Sequence, residues 1–410
     1  MSLHPTKEGA VPIEHPSQDE QDRRLAAVRE SMAVAGFDGL VVADPANIFY
    51  LSGYNAWSFY TPQVLFVPAS GEPLLFMREM DALGAHRTAY RFASPALGYP
   101  EHLVHKPDVH PMEWVATQLR EHGFADGTPK IVGVEGDAHF FAVRSYWALK
   151  SGIPEWDLRD SRELVNRVRL VKSDFEIGQM RKAGKIASAA MVAAIGAMEP
   201  GRPMNQVAAE VMAAQAEGVG DIDGDYPAIV PMFLQGEGAD TPHLTWTSTP
   251  VGENEAIAIE LAGAYHRYHT PLARTVCTGE PSSELRRLAD VTVEGLDAAL
   301  AQMKVGNRPS DVTEAWDAVL RRNNLEKKSR LGYSIGIGFP PDWGERTVSI
   351  RADDTTVLEE NMTFHVIAGM WMEGFGFEAS ESVRVAPTGP EIFTSSPREL
   401  IVKPHSGRPQ

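Results

Sequence analysis

Cysteine is almost missing from this chain of 410 residues, with Cys277 standing alone. No internal disulfide can form, which fits a reducing compartment. Long apolar runs are missing too. No segment approaches the roughly 18 unbroken apolar residues of a membrane span. The opening stretch MSLHPTKEGAVPIEHPSQDEQDRR is polar and proline-bearing, without the apolar core of a secretory signal. Basic clusters are also missing: 38 Lys and Arg face 55 Asp and Glu, for a formal charge of −17. Nucleic-acid binding draws its affinity from a basic face, so neither nucleic acid nor membrane is expected as a partner. The expectation is a soluble cytoplasmic protein, its acidity reflecting either a salty cytoplasm or solubility.

What is present is ordinary globular composition, 43% hydrophobic and 23% charged, at a length that suggests about two domains. Residues 1–20 read as a loose arm. A helix, the buried strand GLVVA and a turn at DPAN follow. QVLFVP and PLLFM then flank the turn ASGE as in a hairpin, and KIVGVE is a further strand. This alternation predicts an α/β domain over 1–169. Beyond it, Ser173 and Glu176 form a capping-box signature. They open a helix with Ile177, Met180, Ile186 and Val192 near one side. Further helices are expected at MNQVAAEVMAAQAEG, SSELRRLADVTVEGLDAALAQM and RPSDVTEAWDAVLRRNN, the last with Ser310 as N-cap. Strands are expected at AIAIELAG, LARTVCT, MTFHVIAGMWM and GFEASESVRV. Helices and antiparallel strands in separate groups predict an α+β domain over 170–410.

One stretch, ELAGAYHRYHTPLARTV from Glu260 to Val276, looks like a metal-holding hairpin but has a proline where a second acid would be expected. Its setting explains it. DPANIFYLSGY, RLVKSDFEIGQMRKAGKIA, GYSIGIGFPPDWGE, NMTFHVIAGMWM and ASESVRV together resemble the creatinase/prolidase/aminopeptidase P superfamily along the whole chain. The resemblance implies a creatinase-like N-terminal domain followed by a pita-bread catalytic domain. Peptidases of this superfamily hold two metal ions with two Asp, one His and two Glu. In this chain those positions carry Glu260, Pro271, Tyr333, Ile367 and Ser380. Proline and isoleucine side chains offer no donor to a divalent cation, so no metal and no other cofactor is expected.

Creatinase is the metal-free branch, and within it the motifs GYNAWSFYTPQ, GDYPAIVP, PHLTWTS and ELAG…RYHTPLART are similar to the hydrolases that open ectoine. The implied substrate is a small zwitterion, a cyclic amidine bearing a carboxylate. Ectoine is expected, or hydroxyectoine, opened to N-acetyl-2,4-diaminobutyrate. Two other readings stay open: another small-zwitterion hydrolase or lyase, and a binding protein on a degenerate peptidase scaffold.

The same resemblance nominates residues. His243 takes the place of the catalytic histidine, a residue able to shuttle protons near neutral pH; alternatively it is a hydrogen-bonded loop residue. Glu260 is expected to attack the amidine carbon or activate water, or else to pair with Arg274 as a structural ion pair. Strand alternation turns Glu378 to the same side as Ser380, and His365 to the side of Ile367. For Glu378, His365 and Tyr333 both a pocket role and a packing role are open. Trp57, Phe59, Tyr60, Trp246 and Trp371 are candidate faces for a delocalised cation, with Phe59 favoured in the N-terminal group. Thr61 stands where creatinase has its carboxylate-binding arginine, so carboxylate recognition is expected to differ: Arg346 is one candidate for that task, and backbone amides or Thr61 itself are the alternatives. By the same resemblance the protein is expected to be a homodimer, with the N-terminal loop of one subunit at the active site of the other.

Overall fold

The computed structural model describes residues 14–92 and 96–404. The expected N-terminal arm lies outside them up to residue 13. The chain divides into two compact units, Met1–Val168 and Arg169–Gln410.

The first unit runs α1 (Gln18–Ala35), β1 (Gly39–Val42), α2 (Pro45–Ser52), β2 (Val64–Pro68), β3 (Leu74–Arg78), α3 (Ala82–Thr88), β4 (Ala96–Tyr99), α4 (Pro111–Glu121), β5 (Lys130–Val134), α5 (Val143–Gly152), β6 (Trp156–Asp160) and α6 (Leu164–Val168). Its strands form one mixed sheet in the order β4-β3-β2-β1-β5-β6. The ASGE turn joins β2 and β3 as an antiparallel pair, as expected. DPAN starts α2: Asp44 accepts from the Ala46 N–H at 2.8 Å, and proline occupies the first turn, where its missing N–H costs nothing.

The second unit contains α7 (Asp174–Ala197), α8 (Met204–Glu217), β7 (Met232–Gln235), a 3₁₀ helix (Gly236–Asp240), β8 (Glu255–Tyr265), β9 (Tyr268–Thr278), α9 (Ser283–Leu300), α10 (Pro309–Arg322), β10 (Gly332–Phe339), β11 (Asp342–Ile350), β12 (Thr363–Met372), β13 (Phe375–Arg384), β14 (Glu391–Ile392) and β15 (Ile401–Lys403). The capping box opening α7 is formed: the Glu176 N–H donates to Ser173 Oγ, and the Ser173 N–H to the Glu176 carboxylate. Ile177, Met180 and Ile186 are buried, but Val192 is 66% exposed. Six residues beyond Ile186, it has turned about 240° away from the buried stripe. Ser310 is not an N-cap. Pro309 already belongs to α10, and Arg308 takes the cap position, its N–H donating to Asp311.

The sheet order is β14-β13-β12-β10-β9-β8-β7, with β11 on β10 and β15 on β9. Its two halves are covered separately. Ile257, Ile259 and Leu261 on β8, and Leu272 and Val276 on β9, pack under α7 and α8. Phe364, Val366, Ala368 and Met370 on β12, and Phe377, Ala379 and Val383 on β13, pack with α9 and α10. Side chains alternate along a strand. The residues of the other parity, among them Glu260, Thr275, His365, Glu378 and Ser380, therefore point to the opposite, inner face, whereas Arg274 and Glu381 share the apolar side.

The halves meet along a seam between β9 and β13 made by side chains instead of a backbone ladder. Thr275 Oγ1 donates to the Glu378 carbonyl at 3.0 Å and accepts the Glu378 N–H at 2.8 Å. Ser380 Oγ accepts the Ala273 N–H at 2.6 Å, and Ser382 Oγ donates to the Pro271 carbonyl at 2.6 Å. On the helix-covered face, Arg274 closes the seam with Glu381 at 2.7 Å. Thr275→Val keeps the shape of the side chain but strands one buried backbone N–H and one C=O. It is expected to lower stability by about 1–3 kcal/mol. Urea unfolding reads this as a lower midpoint at unchanged slope; an unmoved midpoint would show that this seam bond contributes nothing.

Candidate active site

The β8–β9 hairpin sets the first element of the site. Its two-residue turn is His266–Arg267, with φ of 45° and 67°. This left-handed pair suits the twist of a tight hairpin but disfavours residues with side chains. Arg267 is held there by bonds to the Gly338 and Tyr226 carbonyls and by stacking over the Tyr226 ring at 3.8 Å. The turn fixes the register, which pairs Glu260 with Ala273 and Ile259 with Arg274. Directly paired residues share a face, so Glu260 and Arg274 point to opposite sides of the sheet. The Glu260–Arg274 ion pair left open by the sequence is therefore not formed, and Arg274 bonds Glu381.

Register brings the remaining inner-face residues to Glu260. Tyr333 pairs with His365, Ile367 with Ser380, and Gly369 with Glu378. The His365 Nδ1 lies 3.1 Å from the Tyr333 hydroxyl and 3.9 Å from Glu260 Oε1. Its Nε2 lies 2.7 Å from Ser380 Oγ. Trp343 Nε1–H donates to the Tyr333 oxygen at 2.9 Å. Burial pushes His365 down to about 3, so the ring is neutral. A neutral imidazole has one donor and one acceptor nitrogen. Either Tyr333 donates to Nδ1 while Nε2–H donates to Ser380, or both bonds reverse. In the reversed arrangement the Tyr333 O–H becomes a free donor beside Glu260. Burial and the charge of Glu260 together hold the Tyr333 phenol well above its ordinary range, so it stays protonated.

Glu260 is 8% exposed. Burial first, then the charge of Glu378, raises its carboxyl up to about 8. Glu378 is likewise raised, chiefly by burial. One of its oxygens accepts Trp371 Nε1–H at 2.7 Å, and the other is buried without a hydrogen-bond partner. Lys327 completes this end of the site, with its ammonium 4.3 Å from the centre of the Trp371 ring and bonded to the Gly369 carbonyl at 2.6 Å. Nothing in the sequence marks Lys327, which sits in the charged loop EKKSR beside the exposed Lys328.

Glu260, Tyr333, His365, Trp371 and Glu378 thus come together within the second unit. His243 sits exposed in the loop after the 3₁₀ helix, at φ 72°, without a hydrogen-bond or ion-pair partner among the described residues. Trp246 is a packing residue, half-buried and edge-on to Phe233 at the margin of the α7–α8 core. Arg346 is half-buried on β11 at φ 55°. In the first unit Phe59, favoured as the aromatic face for a cation, is 3% exposed and packs between Trp57 and Phe140, whereas Trp57 is 58% and Tyr60 55% exposed. Buried in its own unit, Phe59 gains more from packing against rings than from facing solvent.

A two-metal centre does not fit this donor set. Ser380 Oγ is already engaged by Ala273 and His365, and Pro271 and Ile367 offer nothing. No group of three or more His, Cys, Asp or Glu among the described residues could hold an ion.

Two helix-covered half-sheets meeting over a polar inner face, with a creatinase-like unit before them, define a pita-bread enzyme. The chain belongs to metallopeptidase family M24, matched over residues 178–387, and carries a creatinase/prolidase N-terminal domain over residues 24–171. It is 41% identical to an ectoine hydrolase of Halomonas elongata, covering 94% of this chain and 98% of that one. It is 38% identical to an uncharacterized hydrolase/peptidase of Sinorhizobium fredii, covering 95% and 99%. A prolidase from Thermococcus sibiricus has the same fold, at TM-score 0.82 and 18% identity over 95% of this chain and 100% of that one. The family resemblance and the fold expected from the motifs are both shown, and the chain is a hydrolase acting on carbon–nitrogen bonds. Among the described residues no helix is long and apolar enough to cross a membrane.

Glu260 makes stability depend on pH. Its folded-state value lies above the ordinary carboxylate range, so the native state binds the proton more tightly than the unfolded chain. Its contribution is fully present below about pH 4.5 and is lost as pH rises through about 8. Glu260→Gln removes that loss. The thermal midpoint of the variant is expected to match wild type near pH 5 and to exceed it increasingly up to pH 9; parallel profiles would contradict a buried, proton-holding Glu260.

Proposed function

We propose that the protein opens the ring of a carboxylate-bearing cyclic amidine by hydrolysis without a metal ion. Ectoine, or hydroxyectoine, is the substrate, and N-acetyl-2,4-diaminobutyrate is the product from ectoine. The observation that carries this reading is Glu260. It is the one carboxylate left at the superfamily's five ligand positions, buried beside Tyr333 and His365, and among the described residues no set of three or more His, Cys, Asp or Glu could hold an ion. The 41% identity to an ectoine hydrolase supports the substrate.

The chemistry follows from the groups. An amidinium is planar and cationic, and an ionised carboxylate accepts its N–H in a charge-assisted bond. A bound cation also favours the ionised form of Glu260, offsetting the burial that otherwise keeps it protonated. Ionised Glu260 then takes a proton from water as that water attacks the amidine carbon, or attacks that carbon itself, with the C=N π pair moving onto nitrogen and water later cleaving the adduct to free Glu260. In the water route the oxygen–carbon bond forms, the ring carbon–nitrogen bond breaks, and the proton passes to the departing nitrogen. The Tyr333 O–H donates to the oxygen that gains charge in the tetrahedral intermediate. His243 is proposed as the proton carrier at the leaving nitrogen, brought in from its loop when substrate binds. We place the enzyme in the cytoplasm as a homodimer in which Trp57 and Tyr60 of one subunit border the site of the other.

Chelator-treated protein is expected to open ectoine at the untreated rate, followed by chromatography of the acetylated product. Glu260→Gln is expected to lose about 10²–10⁴ in kcat. Restoration of activity only by an added divalent metal would refute the metal-free reading.

A further inference from the structure

The inner face holds a second carboxylate whose geometry is built at some cost, and which the reaction above does not use. Glu378 is 2% exposed on the central part of β13. Three neighbours fix it. Thr275 clamps its backbone from β9. The Trp371 indole lies back across β12 to donate to one of its oxygens. That path exists because residue 369 is glycine: a Cβ there would stand 2.5 Å from the indole ring. Gly376, paired with Trp371, lets the 3₁₀ helix close over the hairpin, since a Cβ would lie 1.9 Å from the Ala239 carbonyl. Lys327 then lies over the same indole, near enough for its charge to act on Glu378.

After all this placement, the second oxygen of Glu378 has no hydrogen-bond partner. An unpaired carboxylate oxygen buried away from water is costly, and native structures rarely leave one without a use. The oxygen belongs to the inner face, the side to which Glu260 also points, and the two carboxylates act on each other electrostatically. A ligand that reaches this oxygen must donate a hydrogen bond and is favoured by positive charge.

We propose that Glu378 is a substrate-binding carboxylate. Its free oxygen accepts one N–H of the amidinium whose carbon is presented to Glu260, so the two acids hold the N–C–N plane between β8 and β13. Trp371 and Lys327 position Glu378 and do not touch the reacting atoms. The inference rests on the cyclic-amidine reading and adds to it the group that selects charge.

The test separates binding from chemistry. Glu378→Gln keeps size but removes charge, and is expected to raise KM for ectoine about 10- to 100-fold while kcat stays within a few-fold, the opposite split from Glu260→Gln. Trp371→Phe retains the Glu378 charge but frees its position, and is expected to raise KM by less. An uncharged cyclic amide of the same shape, used as competitive inhibitor, is expected to bind wild type and Glu378→Gln alike. An unchanged ectoine KM in Glu378→Gln, with Glu260→Gln inactive, overturns this proposal and leaves the amidine reading standing. Equal weakening for ectoine and the uncharged amide overturns it in favour of a purely structural Glu378. Wild type inert toward ectoine and hydroxyectoine alike would overturn both.

Discussion

The two-residue alternation of side chains across β8, β9, β12 and β13 is the constraint on which the site depends. Helices α7 to α10 demand an apolar face, and the strands supply it at every second position. The remaining positions must point inward. Glu260, Glu378, Ser380 and His365 occupy them, whereas Arg274 and Glu381 fall on the helix side and neutralise each other there. A slip of one residue in the hairpin would exchange these sets, burying Glu260 under α7 and opening Arg274 to the inner face. The turn at His266–Arg267, with its unfavourable backbone and many anchoring bonds, guards against that slip.

The seam between β9 and β13 follows from the same register. In the metal-binding relatives implied by the superfamily pattern, ligands on these strands would share ions. Here Ser380 and Ser382 present short hydroxyls that reach the backbone of β9, and Thr275 reaches back to β13. Pro271 fits this arrangement for a definite reason. It has no N–H to satisfy, and its carbonyl accepts the Ser382 hydroxyl. The proline that breaks the ligand pattern is therefore a working part of the hydrogen-bonded seam.

Much of this was legible in the sequence because strand alternation is local information. Glu378 and His365 could be assigned to the face of Ser380 and Ile367 from parity alone, and the structure places them there. The capping box of α7 and the β2–β3 hairpin were legible for the same reason. What was hidden depends on contacts distant in the chain. Lys327 looks like one more charge in a solvated loop until its ammonium is found against Trp371. Phe59 is the favoured ring in the sequence, but Phe140, some eighty residues on, packs against it, and Trp57 is the ring left in solvent. The place of His243 could not be read either, since its loop has no period to fix a direction.

Burial of two carboxylates on one face raises the question of why such a costly arrangement persists. Each acid raises the proton affinity of its surroundings, and among the described residues neither is paired with an arginine to offset the desolvation cost. Lys327 offsets part of the charge on Glu378 from the far side of Trp371, and Tyr333 and His365 near Glu260 are uncharged. Burial favours the protonated form of Glu260, so ionising it leaves a deficit of one positive charge on this face. A neutral ligand would leave that deficit in place, and an anion would deepen it, whereas a compact cation with hydrogen-bond donors would relieve it. Electrostatic need of this kind selects a ligand by its charge before any shape is considered. On the proposed reading, the amidinium would supply, within the substrate itself, charge that metal ions would otherwise bring.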